Sequence, residues 1–221
     1  MIKAVLFDLF ETLITESGVR PTRASSLAAV LGLERDAYRA EWKARRPRVV
    51  LGQLSFAEAL TEISKALIGR VDTVAVERIC QQRIHEKAAA YARIDDEVGA
   101  LITDLARRGL ALAVVSNCFP EDVLGWSNSS VAREFQCSVF SFAEGIAKPD
   151  PEIYLRAIRR LGVQSATAVY IGDGGDDELA GADRAGLRAC RAAWFVRNVH
   201  QKVAWPELGD REDVLKLVAA G

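Results

Sequence analysis

Apolar and polar positions follow two rhythms along this chain. Residues 2–8, IKAVLFD, form an apolar run closed by an acid, the pattern of a strand buried on both faces of a sheet. From about residue 17 to 93 strand signals vanish. Four stretches of helical spacing replace them: TRASSLAAVLGL, ERDAYRAEWKARR, SFAEALTEISKAL and VDTVAVERICQQRIHEKAAAYA. Ser55, with Glu58 three places on, reads as a capping box and Asp72 as a second N-cap, while Gly32, Gly52 and Gly69 fall where helices stop. From about 94 onward strand and helix alternate. DEVGALITDLARRG leads to the strand LALAVVSN, short helical pieces to CSVFSF, PEIYLRAIRRLG to TAVYIGD, and GGDDELAGADRAG to a last strand, LRACRAAW.

Alternating strands and helices imply a parallel, doubly wound, Rossmann-like sheet, so the fold class is α/β. Residues 1–16 and 94–221 are predicted to form this core, with 17–93 as an inserted all-helical domain.

Composition narrows the function without naming it. Half of the 221 residues are hydrophobic and 27% are charged, the balance of a globular protein with a sizeable core. A net charge of −1 gives no reason to expect nucleic acid or an anionic membrane as a partner. No apolar run approaches the roughly 20 residues of a bilayer span, and Asp8 and Glu11 interrupt the N-terminal run, so export is not expected and a cytoplasmic location is. Cys80, Cys118, Cys137 and Cys190 are scattered, which reads as free thiols and not as structural zinc. Either a monomer or a homodimer is compatible with the sequence.

The chemistry sits at strand ends. In an open parallel sheet, ligands bind beyond the carboxyl ends of the strands. Asp8, Ser116 and Asp173 each occupy such an end, and Lys148 lies in a neighbouring loop. Together with Asp177 they offer a carboxylate nucleophile, a hydroxyl, a fixed cation and a further carboxylate pair, the parts needed to attack a phosphoryl group and neutralise its charge with Mg²⁺.

In this order the motifs resemble those of the haloacid dehalogenase superfamily over nearly the whole chain. The apolar strand ending DxDxT is matched by Asp8-Leu9-Phe10-Glu11-Thr12, and the strand ending in Ser or Thr by VVSN with Ser116. The motif lysine is matched by Lys148 in AKPDPEIY, and GDxxxD by Gly172 to Asp177. The helical insert resembles the family's small cap. For a phosphatase this resemblance implies attack by Asp8 on phosphorus and hydrolysis of the aspartyl-phosphate. It implies Mg²⁺ held by Asp8, the backbone carbonyl of Phe10 and Asp173, with Asp177 in support. Thr12, Ser116 and Asn117 would bind the phosphoryl group of a small phosphorylated metabolite, and Lys148 would steady both nucleophile and phosphate.

Phe10 departs from that pattern, because the family's phosphatases usually carry a second Asp there as general acid and base. Its absence removes help typically worth about 10²–10⁴-fold. Three readings stay open. The substrate has a leaving group that needs little protonation, such as an acyl or enol phosphate, or Glu11, Glu16 or a cap residue substitutes. Otherwise the protein is not a phosphatase: a metal-independent 2-haloacid dehalogenase, whose branch also lacks that Asp and often has Ser-Asn in the second motif, or a catalytically weak regulatory protein. Three acids between Asp173 and Asp177 favour a metal and phosphoryl transfer.

Plainer explanations suffice elsewhere. Asp176 and Glu178 open a helix, where acids suit the dipole. His85 and His200 are isolated, and Cys118 reads as a small hydrophobe. Residues 34–48 hold six basic residues against three acidic ones; a solvated face with charges paired four apart is favoured over an anion clamp by Arg45, Arg46 or Arg48. Tyr38 and Trp42 share a face and are expected to pack internally. Trp194, Phe195 and Trp205 are expected to cover the sheet edge or a dimer face.

Overall fold

A computed structural model describes residues 1–16, 24–195 and 204–220. Strand β1 (Ala4–Phe7) is buried throughout, as its unbroken apolar run requires. After it come helices α1 (Ala24–Val30), α2 (Arg35–Val50), α3 (Phe56–Ile68) and α4 (Thr73–Tyr91). The alternating part supplies α5 (Asp96–Arg107), β2 (Ala111–Ser116), β3 (Cys137–Phe140), α6 (Ser141–Glu144), α7 (Pro151–Leu161), β4 (Ala168–Gly172), α8 (Glu178–Arg184) and β5 (Arg188–Ala192). Two closing elements, β6 (Glu207–Leu208) and α9 (Arg211–Ala220), lie beyond the strands predicted from sequence.

The six strands form one parallel sheet in the order β3-β2-β1-β4-β5-β6. The chain winds outward from β1 to β3, then returns to the other side of β1. Chain direction therefore diverges at β1 and β4, which opens a crevice at their carboxyl ends. Register brings the motifs level: Phe7 pairs with Val114 on one side and Ile171 on the other, so Asp8 leaves the sheet between Val115 and Gly172.

Alternation along β1 divides the core. Val5 and Phe7 join the apolar layer under α5 and α9, and Ala4 and Leu6 the layer under α7 and α8. Helices α1–α4 bury a cluster of their own, including Tyr38, Phe56, Leu60 and Ile63, which Phe119 joins from the loop after β2. The expected caps are present: Ser55 and Glu58 form the capping box of α3, and the Asp72 carboxylate accepts from the N–H of Ala75 at the start of α4. Trp42 packs edge-on against Phe56 and Phe119, as its helical spacing with the buried Tyr38 implied. No helix among the described residues is long and apolar enough to cross a membrane. The start of the predicted insert at residue 17, His200 and the middle of the aromatic segment lie outside the described residues.

Candidate active site

The loop after β1 turns sharply back on itself. Leu13 and Ile14 donate main-chain N–H bonds to Leu9, at 2.9 and 3.0 Å, and Glu11 donates to Ile14 at 2.6 Å. Glu11 adopts a left-handed φ of 53°, a conformation costing a non-glycine residue on the order of 1–3 kcal/mol. Its carboxylate offsets that cost by accepting from the Thr15 hydroxyl at 2.9 Å and the Glu16 N–H at 2.8 Å. The turn buries Asp8 and Thr12 beside the sheet. Trp194 fixes it from β5's side, its indole N–H donating to the Thr12 carbonyl at 2.8 Å.

Lys148 comes in from the loop before α7 and is buried beside Asp8. Its ammonium donates to Asp8 Oδ1, to Glu178 Oε2 at 2.5 Å and to the Tyr170 hydroxyl at 3.1 Å. Tyr170 donates in turn to Glu178 Oε2 at 2.5 Å, and Tyr154 to the Glu178 carbonyl at 2.7 Å. The loop after β4 supplies Asp173, whose Oδ1 accepts from the Gly175 N–H, and Gly174, whose N–H donates to Glu178 Oε1. A side chain at position 172 would meet that same carboxylate, since a Cβ there would stand 2.2 Å from Glu178 Oε1.

Asp8, Asp173 and Glu178 therefore present carboxylate oxygens within 4.8 Å of one another. Three carboxylates face one ammonium, so the cluster with every group ionised carries two surplus negative charges. Burial, reinforced by the Glu178 carboxylate, pushes the Asp8 carboxyl up to about 7 although Lys148 opposes it. Burial raises Asp173 as well. Burial alone would lower Lys148, but the Asp8 and Glu178 carboxylates outweigh it and hold the ammonium above its ordinary value. Near this cluster the hydroxyls of Thr12 and Ser116 are buried with no hydrogen-bond partner among the described residues. Unpaired buried hydroxyls are costly unless a ligand completes them. The donor set fits a divalent cation, which takes carboxylate oxygens and cancels two charges.

Most of the residues predicted from sequence come together: the buried Asp8 and Lys148 and the half-buried Asp173 in one cluster, with the hydroxyls of Thr12 and Ser116 near it. Asp177 does not join them. It is exposed, at a left-handed φ of 52°, and Glu178 supplies the third carboxylate. Glu178 does open α8, as expected, but its side chain is also buried against Lys148, and a signal for that burial is present in the sequence. Gly181 and Ala182, three and four places on, mark the face of α8 that packs most closely, and Glu178 shares it. Asn117 has its amide committed to the Lys148 main chain and to Asp176. Tyr154 and Tyr170 had no sequence motif to single them out.

The basic stretch divides. Arg45 and Arg48 pair with Glu62, and Arg45 with Glu41 four places back, as a solvated face would. Arg46 instead reaches out of the helical insert to Asp176 in the loop after β4, at 3.0 Å. A cleft of about 350 Å³ opens there between α2 and the core, lined by Arg46, Val50 and Leu51 on one side and Asn117, Lys148 and Asp176 on the other. Phe10 stands where the resemblance implies an acid. The ring lies 3.8 Å beneath the Lys87 ammonium, which pairs with Glu16, and Glu11 is engaged within its own turn. Cys118 is buried and its thiol raised by burial, as an inert core residue would be, and His85 is exposed.

The sequence profile of haloacid dehalogenase-like hydrolases matches residues 2–186. This chain belongs to that family. It is 30% identical over 197 residues to a glyceraldehyde 3-phosphate phosphatase of Methanopyrus kandleri, covering 86% of this chain and 84% of the relative. Its fold is similar to that of a 2-haloacid dehalogenase from Pseudomonas syringae, with a TM-score of 0.71 at 22% identity over 100% and 99% of the two chains. A phosphatase of the same superfamily from Thermococcus onnurineus superposes with a TM-score of 0.67 at 21% identity over 98% of each. As a haloacid dehalogenase-like hydrolase, the protein is an enzyme.

Proposed function

We propose that this hydrolase is a Mg²⁺-dependent phosphatase of a small phosphorylated metabolite, with helices α1–α4 as the cap over its site. The observation that carries the reading is the cluster itself: three carboxylates against one ammonium, with two hydroxyls near it that have no partner among the described residues. Halide displacement from carbon needs no cation, so such a concentration of acid would burden a dehalogenase. The 30% identical relative, named a phosphatase, points the same way.

Asp8, Asp173 and Glu178 would hold the ion, which when bound supplies positive charge to the phosphoryl oxygens and keeps Asp8 ionised. An Asp8 oxygen attacks phosphorus, and the bond to the leaving oxygen breaks with its electron pair on that oxygen. Thr12 and Ser116 donate their free hydroxyls to phosphoryl oxygens, and Lys148 neutralises charge while orienting the Asp8 carboxylate. Water then attacks the aspartyl-phosphate. The phosphorus–Asp8 bond breaks, its electron pair returns to the carboxylate, and the water's proton leaves with inorganic phosphate. With Phe10 in place of an acid, substrates whose leaving group is stable as an anion, such as acyl or enol phosphates, suit the site best.

The deciding measurement is hydrolysis of p-nitrophenyl phosphate. Turnover in Mg²⁺ that vanishes in EDTA and in Asp8→Asn is the expected result. Halide release from 2-chloropropionate in EDTA would assign the dehalogenase reaction instead, and a tight Mg²⁺ site with no turnover of a broad phosphate panel would assign a regulatory role.

A further inference from the structure

Lys148 matters only where its ammonium lies, and a long flexible side chain is fixed no better than the main chain that carries it. That main chain is in a loop, and Pro149 after it has no N–H to offer. Both polar main-chain groups of Lys148 go to one side chain. The Lys148 N–H donates to Asn117 Oδ1 at 2.8 Å, and Asn117 Nδ2 donates back to the Lys148 carbonyl at 2.9 Å. The amide acts as a strand partner would, clamping the residue from both sides.

The remaining N–H of the amide donates to Asp176 Oδ2 at 3.0 Å, and the same oxygen accepts from Arg46 of α2 at 3.0 Å. Hydrogen bonds from Asn117 and Arg46 hold the Asp176 carboxyl below its usual range. The amide has no donor left for a phosphate. On the far side, α8 braces the loop through Arg184, which donates to the Pro149 carbonyl at 2.8 Å. The side facing the helical insert depends on Asn117.

We propose that Asn117 is a positioning residue for Lys148, and that the Asp176–Arg46 pair makes its hold depend on docking of helix α2. Closure of the insert would complete the Arg46–Asp176–Asn117–Lys148 chain and set the ammonium against Asp8; opening would slacken it. The site would thus be fully assembled only when α2 covers it. The kinetic consequences rest on the phosphatase reading, whereas the position of Lys148 does not.

Kinetics of Asn117→Ala, Asn117→Asp, Arg46→Gln and Asp176→Asn on p-nitrophenyl phosphate test this, alongside a crystal structure of Asn117→Ala. Asn117→Ala is expected to lower kcat about 10- to 100-fold, as misplacement by an ångström does, with KM changed less than about threefold. Asn117→Asp keeps the acceptor but sets a carboxylate against the Lys148 carbonyl and Asp176, so it should be at least as slow. Arg46→Gln and Asp176→Asn each break an exposed pair and should cost about two- to fivefold in kcat. Neither effect should persist on an Asn117→Ala background, because the chain is already cut. In the crystal structure the Lys148 ammonium should have left Asp8. The proposal is overturned if kcat of Asn117→Ala stays within twofold of the parent, or if the double variants lose the product of the single losses. An unmoved Lys148 ammonium overturns it even if the parent hydrolyses no phosphate ester, which is the failure of the phosphatase reading. Should Asn117→Ala not fold, the same criteria pass to Asn117→Ser.

Discussion

Phe10 holds the position where an acid would decide which substrates the enzyme can use. Its ring lies under the Lys87 ammonium, and the neighbouring acids in sequence, Glu11 and Glu16, are engaged with Thr15 and Lys87. Without an acid, rates should fall steeply as the leaving group becomes more basic. Phe10→Asp is expected to flatten that dependence across a series of aryl and alkyl phosphates and to raise the alkyl rates about tenfold or more. An unchanged slope would mean that another group already donates the proton. A second residue-level prediction separates two adjacent acids. Glu178→Gln should weaken Mg²⁺ binding about tenfold or more, read as the concentration needed to raise the melting temperature, while Asp177→Asn should stay within about twofold. The motif spacing suggests Asp177, whereas burial and the Lys148 ion pair select Glu178.

The elements were largely legible because their causes are local. Strand-like runs, unbroken and apolar in β1 but interrupted by Ser138 in β3 and by Arg188 and Arg191 in β5, marked β1 to β5, and caps and 3.6-residue periodicity marked the main helices before β5. β6 carries no such cause: two residues become a strand only because Glu207 and Leu208 pair with Arg191 and Ala192 of β5. Helix α9 shows amphipathic spacing at Val214, Leu217 and Val218, but its place against α5 follows from the fold. Close packing between elements also sets the site. A Cβ on Gly181 of α8 would stand 2.6 Å from the Pro149 carbonyl, so α8 and the Lys148 loop touch backbone to backbone. Gly181→Ala must part them and carry Glu178 away from Lys148. It is expected to destabilise the protein by about 1–3 kcal/mol and to reduce turnover of the folded fraction as well, measured by denaturant unfolding and steady-state kinetics.

At the scale of the molecule, the surplus charge of the buried cluster makes stability depend on pH and on cation. The Asp8 carboxyl is pushed up to about 7 in the folded protein, against an ordinary value of 3.8. It binds its proton more tightly folded than unfolded. The stability this contributes is therefore full below about 3.8 and is lost as pH rises through about 7. Asp173, also raised, acts in the same direction. In EDTA the melting temperature should accordingly fall on going from pH 5 to pH 8. Saturating Mg²⁺ at pH 8, at about a hundredfold excess over its Kd, should raise it by about 5–10 °C. A melting temperature indifferent to both pH and Mg²⁺ would remove the ground for a cation at this cluster.

By itself the sequence determined the layered α/β fold, the helical insert, and the strand-end positions of Asp8, Ser116 and Asp173, because strand burial and helix capping are properties of short windows. The motif order then singled out Lys148. Only the tertiary structure decided which acids face one another, that Glu178 and not Asp177 completes the cluster, and that Asn117 serves Lys148. It also decided that Arg46 alone, among the three arginines weighed, crosses to the core. Those choices depend on which groups lose their water and which meet across 30 to 170 residues of chain, and no local pattern carries that information.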